Sequence, residues 1–351
     1  MTPAFFIRII DGKIILWDYH RHKQYELDQK HFLRLIELTN GQKLTDSQVD
    51  KTLVDFRVLE DPDPIRWGWD SLSRIFHIGT QVRKDGVTGD IPISTRREYL
   101  DFCESISHKI PELVVEYPGK IFPLPSPDTS NINKHFLDVL IARKTCRAFN
   151  GESVSLLDVA TALWLTFGTV HGKSRDDLAE LGLKAIGYRR TSPSGGSLHP
   201  SEAYLVAMNV TGLSNGIYHY RSHKHELTLV QHEFQPNELG ALLCGQDFSN
   251  DLAFGVFVTS RFDKMWWKYA HSRAYRVALI DIGCLTQTFQ LVCAGLNLQS
   301  WPTGYFLDEE INRLLTLDTD IESTMFFLGA GRGDGPVDKV ILSIINAEAQ
   351  P

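Results

Sequence analysis

Paired cysteines are missing from this chain. Its five cysteines (Cys103, Cys146, Cys244, Cys284, Cys293) lie far apart and form no Cys-x-x-Cys pair. That excludes a disulfide framework and a zinc ribbon, leaves no metal site to propose, and reads them as reduced packing residues. Long apolar runs are missing too: no stretch reaches the roughly 18 residues of a membrane span. Met1-Thr2-Pro3-Ala4 opens without the basic and apolar regions of a secretion signal, so a soluble, cytoplasmic protein with no membrane partner is expected. There is no basic excess. Lys and Arg number 36 against 43 Asp and Glu, a net charge of −7, which argues against a general nucleic-acid binder because counterion release needs a concentrated basic surface. No internal repeat or low-complexity tract appears. What is present is ample core material: 43% of 351 residues are hydrophobic, enough for one large domain or two.

The first 60 residues read as a separate small module. Phe5 to Ile10 and Lys13 to Trp17 flank Asp11-Gly12, a pair that favours positive φ and closes a hairpin. Tyr25-Glu26-Leu27 adds a short strand. Phe32, Leu33, Leu35, Ile36 and Leu38 recur at helical spacing up to Asn40-Gly41, and Val49, Leu53 and Phe56 mark a second helix. Strands with two short helices suggest a winged-helix-like module. Residues 61–130 form a connecting region: Asp61-Pro62-Asp63-Pro64 breaks regular structure, Trp67 to Phe76 can pack as a helix, and Val82 to Ile93 reads as a loop. Pro118, Pro123, Pro125 and Pro127 make Tyr117 to Asp128 an extended, poorly hydrogen-bonded linker, where the domain boundary is placed.

From 131 to 351 the pattern is α+β. Phe136 to Ile141 is helical, Ser155 caps a helix through Leu165, and Ala203 to Met208 is a strand. Gly216 to Tyr220 and Glu226 to Val230 form a hairpin, Phe254 to Ser260 is a buried strand, and Arg273 to Leu296 is the longest helix. A short strand, a helix from Asp308 to Leu315 and a strand from Met325 to Leu328 follow.

Between Arg189-Arg190 and the strand at Ala203 lies Thr191-Ser192-Pro193-Ser194-Gly195-Gly196-Ser197-Leu198-His199-Pro200. Gly195-Gly196 lets the backbone turn with positive φ and approach a ligand without a Cβ in the way, while the hydroxyls and N–H groups suit a flat polar cofactor. The same composition also fits a solvated connecting loop.

Arg143-Lys144-Thr145-Cys146-Arg147-Ala148-Phe149, the Pro-Ser-Gly-Gly loop, Lys268-Tyr269 ahead of Arg273-Ala274-Tyr275-Arg276, the helix ending in Ala294-Gly295-Leu296, and Trp301-Pro302-Thr303-Gly304-Tyr305-Phe306 stand in a distinctive order. The set resembles the FMN-dependent nitroreductase superfamily, and within it the thiazole/oxazole-forming peptide dehydrogenases of the SagB/McbC type, over residues 130–345. The resemblance implies a nitroreductase-like fold, a central mixed sheet flanked by helices, with FMN as cofactor.

It also implies roles. Arg143, Lys144, Thr145 and Arg147 would face the FMN phosphate and ribityl chain, as guanidinium groups match phosphate oxygens; the bland reading is cations favoured at a helix C-terminus. Pro193, Ser194, Gly195 and Gly196 would lie along the flavin edge, with His199 a weaker candidate. Pro302, Thr303 and Gly304 would contact the flavin ring, Thr303 or Gly304 donating a backbone hydrogen bond to its N5; otherwise they are a turn before a helix capped by Asp308. Lys268 and Tyr269 would be catalytic. Aromatising an azoline removes a proton from the ring carbon derived from Cα while a hydride leaves the β-carbon. A lysine desolvated by an apolar site, or a tyrosinate beside it, can act as base, with Trp266 and Trp267 supplying apolar surroundings. Lys268 as a merely solvated side chain is the alternative.

Gly329-Ala330-Gly331-Arg332-Gly333-Asp334-Gly335-Pro336 is not a dinucleotide fingerprint, because Pro336 and Val340-Ile341-Leu342 follow instead of a helix with an acidic residue about 20 positions on. By the resemblance Arg332 would reach the FMN phosphate.

The expected partners are a second copy of the chain, a homodimer with two FMN sites, and then a precursor peptide and a cyclodehydratase. In related enzymes the N-terminal module docks a leader peptide, often by strand addition; here it can equally complete the core or dimer surface. The expected function is oxidation of peptide thiazolines or oxazolines. Alternatives are a flavin-dependent nitro or quinone reductase or small-molecule dehydrogenase, and a flavin-free peptide-binding scaffold.

Overall fold

A computed structural model describes residues 5–18, 23–56, 58–59, 68–81, 96–171 and 189–348. The readings of Asp61-Pro62-Asp63-Pro64 and of 82–93 fall outside these residues, apart from Gly68 onward in the helix that follows. The chain divides into two compact units, Met1–Pro92 with His271–Arg273, and Ile93–Ala270 with Ala274–Pro351.

The first unit opens with a three-stranded antiparallel sheet, β1 (Phe5–Ile10), β2 (Lys13–Asp18) and β3 (Lys23–Leu27). Asp11 and Gly12 carry φ of 49° and 74°, the mirror-image turn whose twist matches the flanking strands. Phe6 and Trp17 meet edge to face at 4.6 Å across that hairpin. Three helices follow: α1 (Gln29–Thr39), α2 (Gln48–Asp55) and α3 (Ser71–Gly79). Asp28 caps α1 and Ser47 caps α2, each accepting the backbone N–H three residues on. Arg34 of α1 forks onto Asp50 of α2, at 2.6 and 2.9 Å, and these bonds with those from Thr45 hold the Asp50 carboxyl well below the usual range.

The second unit contains α4 (Arg96–Ile106), β4 (Ile121–Pro123), α5 (Phe136–Ala142), β5 (Ala148–Phe149), β6 (Val154–Ser155), α6 (Leu156–Phe167), β7 (Ser201–Ala207), β8 (Val210–Thr211), β9 (Gly216–Arg221) and β10 (Glu226–His232). Then come α7 (Pro236–Leu242), β11 (Phe254–Arg261), α8 (Phe262–Trp266), α9 (Arg273–Gly295), β12 (Gln299–Thr303), α10 (Asp308–Leu314), β13 (Glu322–Gly331), β14 (Gly333–Gly335) and α11 (Lys339–Glu348). Seven strands make the central sheet in the order β12-β13-β11-β7-β9-β10-β4, antiparallel throughout. Among the described residues, parallel pairing is confined to the short strands β6 and β8 and to a bridge between Thr145 and Ser300.

Every residue of β7, β9 and β11 is buried, so both faces of the sheet need cover. Leu205, Tyr218 and Val256 point toward α6 and α9, packing with Leu163, Ile282 and Phe289. Tyr204, Ile217 and Phe257 point the other way, toward Leu239 and Leu243 around α7 and Ile311 and Leu315 around α10. Phe257 has no exposed surface and its ring lies 5.0 Å from that of Phe327. Phe257→Ala is expected to cost about 3–5 kcal/mol of unfolding free energy, as a large buried ring leaves a cavity. Denaturant titration checks this, and a loss below about 1 kcal/mol would mean the core collapses to fill the space.

Four differences from expectation have physical causes. The proline-rich stretch is not an unbonded linker throughout: Ile121–Pro123 is the edge strand β4, paired with Glu226 to Thr228, and an edge tolerates a proline because one side of it needs no donor. Asp308 is the first residue of α10 and Leu307 its cap, without a side-chain hydrogen bond. The run at Val340 is helical, in α11. Finally, α9 is long and apolar enough to cross a membrane by length and composition, contrary to the reading that no stretch is. Its Ile282, Leu285 and Phe289 are instead packed into the sheet's core.

Candidate cofactor and active site

The basic segment leaves α5 at Arg143 and threads between two short edges. Thr145 bridges Ser300, Cys146 donates its N–H to the Ser300 carbonyl at 3.0 Å, and Arg147 donates its N–H to the Gly335 carbonyl at 3.0 Å. Ala148 and Phe149 then pair with Gly335 and Gly333, and the Asn150 N–H reaches the Arg332 carbonyl at 3.1 Å. Alternation buries Cys146 and leaves Arg147 exposed. This ladder gathers Arg143, Lys144, Thr145, Arg147 and Arg332 beside β12. Among the described residues Arg332 has only a distant carboxylate, Glu152 at 3.9 Å, and Arg147 donates to the Pro336 carbonyl at 3.4 Å. Four cations and a threonine hydroxyl, with little acidic compensation, match the donor set that a phosphate monoester requires.

On β12, Trp301 is buried against Phe248 and Phe327, fixing the strand to the core. Pro302, which has no N–H to offer, and Thr303 end it at the edge of the sheet, and Gly304 lies just beyond the strand's end. The turn beyond is pinned by Gln246. Its side-chain N–H donates to the Tyr305 carbonyl at 2.9 Å, the Tyr305 N–H donates to the Thr303 hydroxyl at 3.1 Å, and that hydroxyl lies 3.4 Å from the Gln246 oxygen. Gln246 was not legible in the sequence, because a lone glutamine in a loop carries no pattern.

The Pro-Ser-Gly-Gly loop is splinted along α9. Ser192 and Thr288 share a hydrogen bond of 2.7 Å; the Ser194 hydroxyl donates to Asp281 at 2.6 Å, and the Gly195 N–H donates to the same carboxylate at 3.1 Å. The Ser194 oxygen also accepts the His199 N–H at 2.9 Å. Ser194 and Gly195, expected to address a flavin, thus spend these donors on Asp281, and only the remaining edge of the loop can face a ligand. Burial pushes the Asp281 carboxyl above the ordinary aspartate value, with the bonds from Ser194 and Gly195 opposing it.

Gly196 has φ of 62°, and a Cβ there would stand 2.5 Å from the Tyr269 hydroxyl and 3.0 Å from Lys268 Nζ. The glycine is therefore needed twice, for the left-handed backbone and for the close approach of the Lys-Tyr pair. Lys268 and Tyr269 are half-buried at the end of α8, with Lys268 Nζ 5.8 Å from the Tyr269 ring centroid. Trp267 packs with Met265, Ala274 and Ala278, whereas Trp266 is 51% exposed and lies outside that cluster. Burial pushes the Tyr269 phenol up, and the Cys103 thiol and the Asp281 carboxylate push in the same direction. It is a neutral hydroxyl near neutral pH, a hydrogen-bond donor rather than a tyrosinate.

The strand registers place these groups. At one end of the sheet Ser201 faces Ser260 and Glu322 faces Arg261; at the other Phe254 faces Ala330 and Gln299 faces Gly331. Gly195, Gly196, Lys268 and Tyr269 stand at the first end, and the basic cluster at the second. A single chain brings each set together but not the two sets. The residues present fit FMN in pieces: the basic cluster and Thr145 its phosphate and hydroxyls, the strand edge at Thr303–Gly304 and the glycine cradle its ring.

The sequence profile of the Nitroreductase family matches residues 140–332. The chain belongs to the nitroreductase family. Every residue assigned above to the cofactor or to catalysis lies within the matched span. Among relatives of this nitroreductase-family chain, the trifolitoxin-processing protein TfxB of Rhizobium leguminosarum bv. trifolii is 28% identical over 184 residues, 51% of this chain and 49% of TfxB. The chain thus spans about half the length of TfxB. MJ1384 of Methanocaldococcus jannaschii, a nitroreductase by name, is 24% identical over 57% of this chain and 92% of its own length. A crystal structure from Anabaena variabilis, also named as a nitroreductase, superposes with a TM-score of 0.55 at 23% identity, covering 80% of this chain and 53% of the other. That likeness shows an α+β nitroreductase fold.

Proposed function

We propose that this chain is an FMN-dependent dehydrogenase that oxidises thiazoline or oxazoline rings of a peptide to thiazoles or oxazoles. The observation that carries the reading is the Lys268–Tyr269 pair set against Gly196 of the Pro-Ser-Gly-Gly loop. The relation to a toxin-processing protein supports a peptide substrate, and the family an oxidoreductase.

Arg143, Lys144, Arg147 and Arg332 hold the cofactor phosphate, Thr145 a neighbouring hydroxyl, and Pro193 to Gly196 with Pro302 to Gly304 the ring. When bound, FMN supplies a two-electron acceptor. Lys268 takes the proton from the ring carbon derived from Cα, and Tyr269, a neutral hydroxyl, donates a hydrogen bond that orients the substrate. The protein incubated with an azoline peptide should remove about 2 Da per ring, two hydrogens, by mass spectrometry. Nicotinamide-dependent reduction of nitroarenes or quinones, without that mass loss, would establish the second reading, for which MJ1384 speaks. The purified protein should also be yellow and release FMN, not FAD, on denaturation; a colourless protein that takes up no FMN from excess leaves the scaffold reading.

The separation of the two residue sets within one chain supports a homodimer whose sites draw on both copies. Phe136 and Ile141 on α5, Leu279 and Ile280 on α9, and Ile344 and Ile345 on α11 are exposed apolar side chains for such a contact. Leu285, on the same helix α9, is buried in the chain's own core. Light scattering should give the dimer mass at micromolar concentration, and an FMN-loaded monomer would contradict it. A precursor peptide, a cyclodehydratase partner and a cytoplasmic site of action complete the proposal.

A further inference from the structure

On the face of the sheet turned away from α9, charged side chains are buried where an apolar layer would be ordinary. Glu202 of β7, His219 and Arg221 of β9, Arg261 of β11 and Lys264 of α8 are each no more than 6% exposed. Together with Arg190, His199, Ser222, His223 and the strap Leu113 to Val115, several of them line one cavity. Buried charges are costly unless matched. Lys264 is matched by Glu202 at 2.9 Å, Arg261 by Asp263, and Arg221 by Glu116 and Glu226. Glu322, behind the cavity, is closed by the hydroxyls of Tyr117, Tyr204 and Thr259.

Arg190 is different. Its guanidinium donates to the Ser201 carbonyl at 3.1 Å and the Ser222 hydroxyl at 3.3 Å, and no carboxylate pairs with it among the described residues. Its Nε, together with His219 Nδ1 and Arg221 Nε, is buried with no hydrogen-bond partner among those residues. A guanidinium does not shed its proton, so the charge persists. His199 completes the wall; burial and the charges of Arg190 and Lys264 push its imidazole down to about 3, so it is neutral. Its φ is 45°, a strained geometry held by the bond from its N–H to Ser194.

We propose that this cavity binds one carboxylate group, with Arg190 as its counterion and His219 and His199 lining the wall beside it. Arg190 is the one cation of this group with no carboxylate within ion-pair distance among the described residues, its nearest attraction being to Glu202, which Lys264 already holds, and a singly charged carboxylate matches it better than a dianionic phosphate. The ligand is a small free acid or the carboxyl end of a larger molecule. The cavity shares its end of the sheet with the glycine cradle, His199 being tied to Ser194, while the basic cluster lies at the other end.

The test uses the full chain as purified, titrated calorimetrically with sodium acetate, N-acetylglycine and N-acetylglycinamide against sodium chloride at equal ionic strength. Acetate should bind saturably and raise Tm, and the amide should do neither. Tighter binding of N-acetylglycine than of acetate identifies a carboxyl terminus as the ligand, and its exclusion identifies a small acid. Arg190→Met should weaken acetate binding roughly tenfold or more, the loss of a charge-assisted hydrogen bond, and should abolish the acetate-induced rise in Tm. Arg189→Gln, at the exposed neighbour, should change neither. If Arg190→Met does not fold, His199→Ala should show the same weakening. Absence of saturable acetate binding, equal binding of the amide, or unchanged acetate affinity in the Arg190 or His199 variant would overturn the proposal.

Discussion

Replacing Lys268 by alanine should leave the flavin bound and slow azoline oxidation by roughly a hundredfold or more, the ordinary cost of losing a positioned base. That corresponds to about 2.7 kcal/mol of transition-state stabilisation. Lys268 is not among the residues assigned to the phosphate (Arg143, Lys144, Arg147 and Arg332), so its removal takes away no phosphate ligand. Tyr269→Phe should cost less, because burial keeps the phenol neutral and leaves it a hydrogen-bond donor rather than a base. The two variants therefore separate the roles: a large loss at Lys268 with a small one at Tyr269 fits lysine as base and tyrosine as positioning group. Flavin absorbance verifies cofactor content, and the mass loss per ring gives turnover. Near-normal turnover in both variants with flavin bound would make the pair structural and move the proton acceptor elsewhere.

The sequence announces features that repeat or that demand a special backbone. Asp11-Gly12 requires a tight turn, the apolar period of Arg273 to Gly295 requires a long packed helix, and Gly195-Gly196 requires a close approach, and all three are found. It conceals features that arise only when distant strands meet. The alternation of β7 places Glu202 on the same face as Tyr204 and Val206, yet in sequence Glu202 looks like a solvated charge just before an apolar run. Only pairing with β9 and the arrival of Lys264 show that it is buried. Strand β4 was hidden because Pro123 and the prolines around it read as an interruption, whereas an edge position makes Pro123 acceptable. Asp281 left a faint signal, a lone carboxylate on the apolar helix α9, but its partners are more than 80 residues away.

Asp281→Leu should loosen the cofactor loop while strengthening the fold, two effects of opposite sign from one substitution. The carboxylate accepts the Ser194 hydroxyl and the Gly195 N–H, and leucine accepts neither. Leaving such donors unsatisfied costs about 1–3 kcal/mol each, which the loop can avoid only by shifting toward solvent. Since Gly196 follows directly and lies against Lys268 and Tyr269, a shifted loop takes the glycine cradle with it. FMN affinity, followed by the quenching of free-flavin fluorescence, should fall roughly tenfold or more, as expected from the loss of one such bond's worth of positioning. Hydrogen exchange at the Gly195 amide should speed up even in the cofactor-free protein. The gain in fold stability follows from burial. Because the Asp281 carboxyl is raised above its unfolded value, its favourable contribution is present at low pH and is lost as pH rises through the folded value. A non-titrating Asp281→Asn protein should therefore hold a Tm advantage over wild type that is larger at neutral pH than in acid. Its FMN affinity should fall between wild type and leucine, since the amide oxygen still accepts one of the two donors. Unchanged FMN affinity and unchanged Gly195 exchange in Asp281→Leu would show that the loop is held by its other contacts, Ser192 with Thr288 and Gly195 against Val277.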